Sequence, residues 1–135
     1  MTSIFADTFY YLALLNPRDA AHTATLTASR SHSGRLVTTE WVLTEVADAF
    51  ASPQERPRFL ALLTALEAHP DVSIVPASHD LFQRGADLYR RRPDKAWPLT
   101  DCITFVVMND NGIKEALTGD AHFKQAGFTP MLIRP

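Results

Sequence analysis

Short apolar runs alternate along this chain with longer stretches in which apolar residues return every three or four positions. Ile4-Phe5-Ala6, Leu36-Val37, Val72-Ser73-Ile74-Val75, Lys114–Leu117 and Met131-Leu132-Ile133 are runs of the first kind. Runs this short between turn residues predict strands at 3–6, 35–38, 72–75, 114–117 and 131–133. The second kind predicts helices. Phe9, Tyr10, Leu12, Ala13 and Leu15 give one at 8–15, broken by Asn16-Pro17. Pro17 suits the first turn of a polar, surface-lying helix at 17–32. Thr39 and Ser78 are N-cap candidates for helices at 40–51 and 79–91. Phe59, Leu60, Leu63 and Leu66, widened by Leu62, form the stripe of a helix at 54–68, and an apolar helix at 100–110 ends at Asn111-Gly112.

The order is strand, two helices, strand, two helices, strand, two helices, strand, strand. Helices between short buried strands imply an α/β fold with a mainly parallel sheet covered on both faces. Right-handed crossovers make this a three-layer α/β/α sandwich. With 135 residues and no repeat or linker, the expectation is one domain over 1–135. No apolar stretch nears the roughly 20 residues that cross a bilayer. The N-terminus has no secretion-signal pattern. A single cysteine, Cys102, leaves no internal disulfide and fits a reducing, cytoplasmic setting.

Four acids stand at the borders of these elements. Asp7 ends the first run, Glu45 lies among Val42, Leu43 and Val46, Asp101 opens an apolar helix, and Asp120 closes a turn after Thr118-Gly119. Sites in open parallel sheets gather at the carboxyl ends of strands, so this placement predicts convergence. The apolar neighbours of Glu45 predict that its part of the helix packs inward. Buried acids need compensation, and a divalent cation on hard oxygen ligands supplies it. That combination points to metal-assisted phosphodiester chemistry. Each acid also has a plainer reading: Asp7 as a cap, Asp101 at a helix dipole, Asp120 in a turn, Glu45 on a solvated face. The net charge of −2 does not advertise a nucleic-acid binder. With four acids set aside for a metal, however, the remainder is weakly basic.

The segments Ile4-Phe5-Ala6-Asp7-Thr8, Val42-Leu43-Thr44-Glu45-Val46, Leu99-Thr100-Asp101-Cys102 and Leu117-Thr118-Gly119-Asp120-Ala121-His122-Phe123, with Gly127-Phe128 beyond them, resemble PIN-domain nucleases. The likeness is strongest to VapC-like toxins of bacterial toxin–antitoxin pairs and covers nearly the whole chain. The resemblance implies a ribonuclease dependent on magnesium or manganese, with one or two ions. It implies that Asp7, Glu45, Asp101 and Asp120 are the site acids, with Thr8 and Thr118 as supporting hydroxyls. Asp7, Asp101 and Asp120 would be metal ligands. Glu45 would ligate too, or position the attacking water. The resemblance further implies an RNA substrate, a small antitoxin partner and a possible homodimer through the helix at 54–68.

Arg90, Arg91, Arg92 and Lys95 make the densest basic patch, a candidate RNA contact that a helix C-terminus also explains. Among five histidines none has metal-ligand spacing, and only His122 lies beside the acids, where it could touch a phosphate. Asp48 could substitute for Glu45 on its helix. Other readings are an RNA-processing nuclease outside a toxin system, a noncatalytic binding scaffold, or a receiver-like signalling module. A receiver wants a second acid beside Asp7, and none is there.

Overall fold

The computed structural model describes residues 2–132. The elements run β1 (Ser3–Ala6), α1 (Thr8–Leu15), α2 (His22–Ser31), β2 (Arg35–Thr39), α3 (Glu40–Ala49), α4 (Arg56–Ala68), β3 (Val72–Val75), α5 (His79–Arg91), α6 (Leu99–Asp110), β4 (Glu115–Leu117), α7 (Ala121–Gln125) and β5 (Thr129–Pro130). The strands form one sheet in the order β3-β2-β1-β4-β5, and every pairing is parallel.

The chain steps from β1 to β2 to β3 in one direction, then crosses to the other side of β1 for β4 and β5. Right-handed crossovers therefore put the helices of the two halves on opposite faces. The packing agrees: α1 lies against α2 and α3, α3 against α4, and separately α5 against α6. Phe5, Val42, Val46, Phe105 and Phe123 are fully buried between the layers. Each such side chain contributes about 1.5–3 kcal/mol. The Phe105 ring meets Trp97 and Phe123 edge-on, with centroids 5.1 Å away in both cases.

Thr39 and Ser78 cap α3 and α5 as expected, accepting from the Val42 and Leu81 amides. Three local expectations are corrected. The helix expected at 17–32 begins only at His22. Before it the side chains of Asn16 and Asp19 accept from the amides of Arg18 and Ala21, so local turn chemistry consumes the first turn. A short helix, α7, follows Asp120 where none was expected; five residues are too few to display a helical period.

The last strand lies at Thr129–Pro130 rather than 131–133. Gly127, at φ 93°, closes α7, and the Phe128 amide donates to the Phe123 carbonyl. That ending sends the chain back to β4 two residues earlier. Met131 and Leu132 still donate to the Ala116 and Thr118 carbonyls, while Ile133 lies outside the described residues.

Candidate active site

The sheet reverses its winding between β1 and β4, so the carboxyl ends of these neighbours form a crevice. The Asp7 amide donates to the Leu117 carbonyl at 3.3 Å, which locks the first residue past β1 to the end of β4. The Asp7 side chain is buried, with 5% of the residue exposed, and makes no capping bond to α1. Instead its Oδ2 accepts from the Thr118 hydroxyl at 2.9 Å. Thr118 Oγ1 in turn accepts from the Asp120 amide at 3.1 Å. Asp120 Oδ1 accepts from the His122 amide at 2.9 Å and so caps α7.

Asp101 enters from α6. Pro98 occupies the N-cap position, which places Asp101 in the first turn, where the helix dipole favours an anion. It is buried at 7% exposure. His122 bridges the two elements: its Nδ1 lies 3.1 Å from Asp101 Oδ2 and 3.1 Å from Asp120 Oδ1. Asp101, Asp120 and His122 each offer a ligand atom within 4.8 Å of the others. Asp7 is not in that set, although it feels the charges of Asp101 and Asp120.

Glu45 corrects an expectation. Val42, Leu43 and Val46 are buried as their pattern implied, but Glu45 itself is exposed. The apolar residues flank its position around the helix instead of enclosing it. Its Oε1 accepts from the Thr8 hydroxyl at 2.6 Å, which ties α3 to the start of α1. Asp48 is exposed too and lines a separate cleft with Phe50, Phe59 and Leu60.

Burial pushes the Asp7 carboxyl up to about 7; the charge of Asp101 adds to the rise and the Thr118 hydroxyl opposes it. Burial also pushes Asp101 up to about 6, with Asp120 and Glu45 raising it further and His122 pulling it down. The Cys102 thiol is raised first by burial and then by Asp101, so this cysteine is a packing residue. Acids that repel one another in a low-dielectric crevice are a standing electrostatic cost. A hard cation relieves it, and the set of two carboxylates and one imidazole suits a divalent ion.

The four basic residues separate. Arg90, Arg92 and Lys95 line a cleft with Tyr89, Trp97 and Leu99, whereas Arg91 lines a different one beside Arg84 and Asp110. Tyr89 drew no functional attention in the sequence because it fits the apolar spacing of α5. The signal was available: Leu81, Gly85 and Leu88 already fill the inward face, leaving Tyr89 one position off it.

Comparison with known proteins agrees with this geometry. The family model described as PIN domain matches residues 4–129. The crystal structure of VapC20 from Mycobacterium tuberculosis, a sarcin–ricin-loop-cleaving toxin, superposes with a TM-score of 0.85 at 26% identity, covering 98% of this chain and 99% of that one. VapBC2 from Rickettsia felis, solved with a DNA fragment from its promoter, gives a TM-score of 0.68 at 11% identity over 96% and 97% of the two chains, a likeness of fold. None of the curated proteins matches the sequence. A switch-point crevice holding Asp7, Asp101 and Asp120, on a sheet that matches the family model nearly end to end, places this chain in the PIN domain family.

Proposed function

We propose that this protein is a divalent-metal-dependent endoribonuclease and the toxin of a toxin–antitoxin pair. The observation that carries the reading is the pair of buried carboxylates, Asp7 and Asp101, held in one crevice with pKa values pushed to about 7 and about 6. No cation of the chain reaches Asp7 among the described residues, and a metal ion is the partner that such a crevice suits. Asp101 and Asp120 would hold Mg2+ or Mn2+, with Asp7 bound directly or through water and His122 close enough to join. A bound ion lowers the pKa of a water molecule and offsets charge on a scissile phosphate.

The chain's own groups do the rest. The Thr118 hydroxyl orients Asp7 and, by stabilising its charge, favours the form that can bind a cation. Thr8 fixes Glu45 at the open side of the crevice, where an exposed carboxylate is placed to orient the attacking water and take its proton. Attack in line at phosphorus leaves a 3′-hydroxyl and a 5′-phosphate. The similarity to VapC20, a toxin that cleaves the sarcin–ricin loop, at 26% identity supports RNA as the substrate and the toxin role. A small antitoxin as partner follows from that role. Homodimerisation through α4 belongs to the same proposal, since Leu60 on that helix is 57% exposed. A monomer by light scattering at micromolar concentration would remove that part.

The test is incubation of purified protein with total RNA, with and without Mg2+ or Mn2+. Cleavage is expected only with metal, and Asp7→Asn is expected to abolish it while leaving the circular dichroism spectrum unchanged. A 2′,3′-cyclic phosphate end would overturn the mechanism, because it requires attack by the ribose hydroxyl. For the toxin role, induced expression should arrest growth and the Asp7→Asn chain should not. Growth unaffected by an active enzyme would leave RNA processing as the better reading.

A further inference from the structure

Between the end of α5 and the start of α6 lies an open cleft of about 1020 Å³ whose apolar lining includes Ala86, Pro93, Ala96 and Pro98. Leu99, two residues before Asp101, lines it too. So does Trp97, whose indole N–H donates to Gln125 Oε1 at 2.9 Å and thereby joins the cleft to α7, the helix that Asp120 caps. The cleft is thus built onto both elements that deliver the candidate catalytic acids.

Its polar lining is unequal in availability. Arg92 is committed: it stacks on the Trp97 ring at 5.1 Å and grips both Asp94 oxygens at 3.0 Å. Arg90 has only an exposed pair with Asp87 three residues earlier, an interaction worth about 0–1 kcal/mol and readily exchanged. Among the described residues the acid that Lys95 approaches is Asp94, at 4.0 Å and already held by Arg92. Two cations are therefore available to an incoming anion. Tyr89, with 56% of its surface exposed, adds an aromatic ring to the same lining.

We infer that this cleft is a subsite for single-stranded RNA flanking the scissile bond, with Tyr89 stacking on an unpaired base and Arg90 and Lys95 contacting phosphates. An aromatic platform bordered by cations fits a single strand, whose bases are free to splay and stack. A purely apolar partner helix would leave both cations without anions. The inference rests on the ribonuclease reading for its choice of ligand, and the experiment separates the two.

Binding of a fluorescein-labelled, mixed-sequence single-stranded RNA of about 12 nucleotides is followed by anisotropy, with the full chain in EDTA so that no turnover occurs. Tyr89→Ala is expected to weaken binding about tenfold, and Tyr89→Phe to retain it. The Arg90→Ala/Lys95→Ala double variant should make the slope of log K against log salt shallower by about 1.4, while Tyr89→Ala leaves that slope unchanged. Tyr89 and Arg90 are exposed and Lys95 is half-buried, and circular dichroism checks that each variant is folded. No measurable affinity in the parent chain, or unchanged affinity and slope in Tyr89→Ala and the double variant, overturns the inference. Cleavage with Mn2+ is scored separately. A chain that binds through these residues but does not cleave sinks the nuclease reading and keeps the cleft; one that cleaves while the variants bind normally does the reverse.

Discussion

At the scale of single residues, Thr118 is the hinge of the candidate site. One hydroxyl donates to Asp7 and accepts from the Asp120 amide, so a single side chain sets the positions of two acids. Thr118→Val keeps the volume and removes both bonds. Loss of such an orienting partner is expected to lower cleavage about tenfold to a hundredfold. Because the hydroxyl holds the Asp7 pKa down, its removal should also move the acidic limb of the pH–rate profile to higher pH. A profile unchanged in position would show that Thr118 acts only in packing.

Asp7 also sets a stability trend. Its folded pKa, about 7, lies above the ordinary carboxylate value, so the folded state binds the proton more tightly than the unfolded chain. Below about pH 4 both states are protonated and Asp7 adds no penalty. As pH rises from about 4 to about 7 this carboxyl alone lowers the stability of the metal-free fold, by at most about 4 kcal/mol, and Asp101 adds to the loss in the same direction. The melting temperature in EDTA should therefore fall across that window. Asp7→Asn, neutral at every pH, should reduce the slope and melt higher than the parent at pH 8, leaving the part due to Asp101. A parent chain equally stable in EDTA at pH 5 and pH 8 would contradict the burial of this carboxyl.

At the scale of elements, α5 and α6 make the most extensive helix contact in the molecule. Gly85 permits it: a Cβ there would sit 2.3 Å from Ile103 Cγ1 and 3.1 Å from its Cα. Arg84 clamps the same pair by gripping both Asp110 oxygens at 2.6 Å. Gly85→Ala forces the helices apart at the point where α6 carries Asp101 two residues away. The expected cost is about 1–3 kcal/mol in urea unfolding. A variant as stable as the parent would mean that Ile103 can turn aside without loss. Element identity was largely legible: the strands at 3–6 and 72–75, the caps at Thr39 and Ser78, and the stop at Asn111-Gly112 follow from periodicity and turn chemistry. What escaped was local competition. Asn16 and Asp19 spend the first turn of α2 on their own hydrogen bonds, and α7 is shorter than the window in which a helical period can be seen.

At the scale of the whole molecule, the reversal of strand order puts acids from distant parts of the chain into one crevice, where they raise one another's pKa values. A divalent ion that binds there competes with protons. Added Mn2+ should therefore raise the melting temperature more at pH 8 than at pH 5, and the increment should vanish in a chain carrying both Asp7→Asn and Asp101→Asn. An equal increment at both pH values would place the binding elsewhere.

The sequence by itself determined the parallel α/β/α layering and singled out the candidate acids, because both readings rest on local pattern: apolar runs, caps, and carboxylates at element ends. Tertiary structure alone decided which of these side chains come together. His122 joins Asp101 and Asp120 through an approach of α6 to α7 that no spacing encodes. Glu45 remains at the open edge because the roll of α3 on its buried neighbours fixes where that side chain points. Tyr89 stands exposed for a related reason: α5 has one inward face, and the fit of Gly85 against Ile103 determines which residues occupy it. Pattern along a chain reports what each segment prefers, whereas distance between segments depends on how all the faces pack at once.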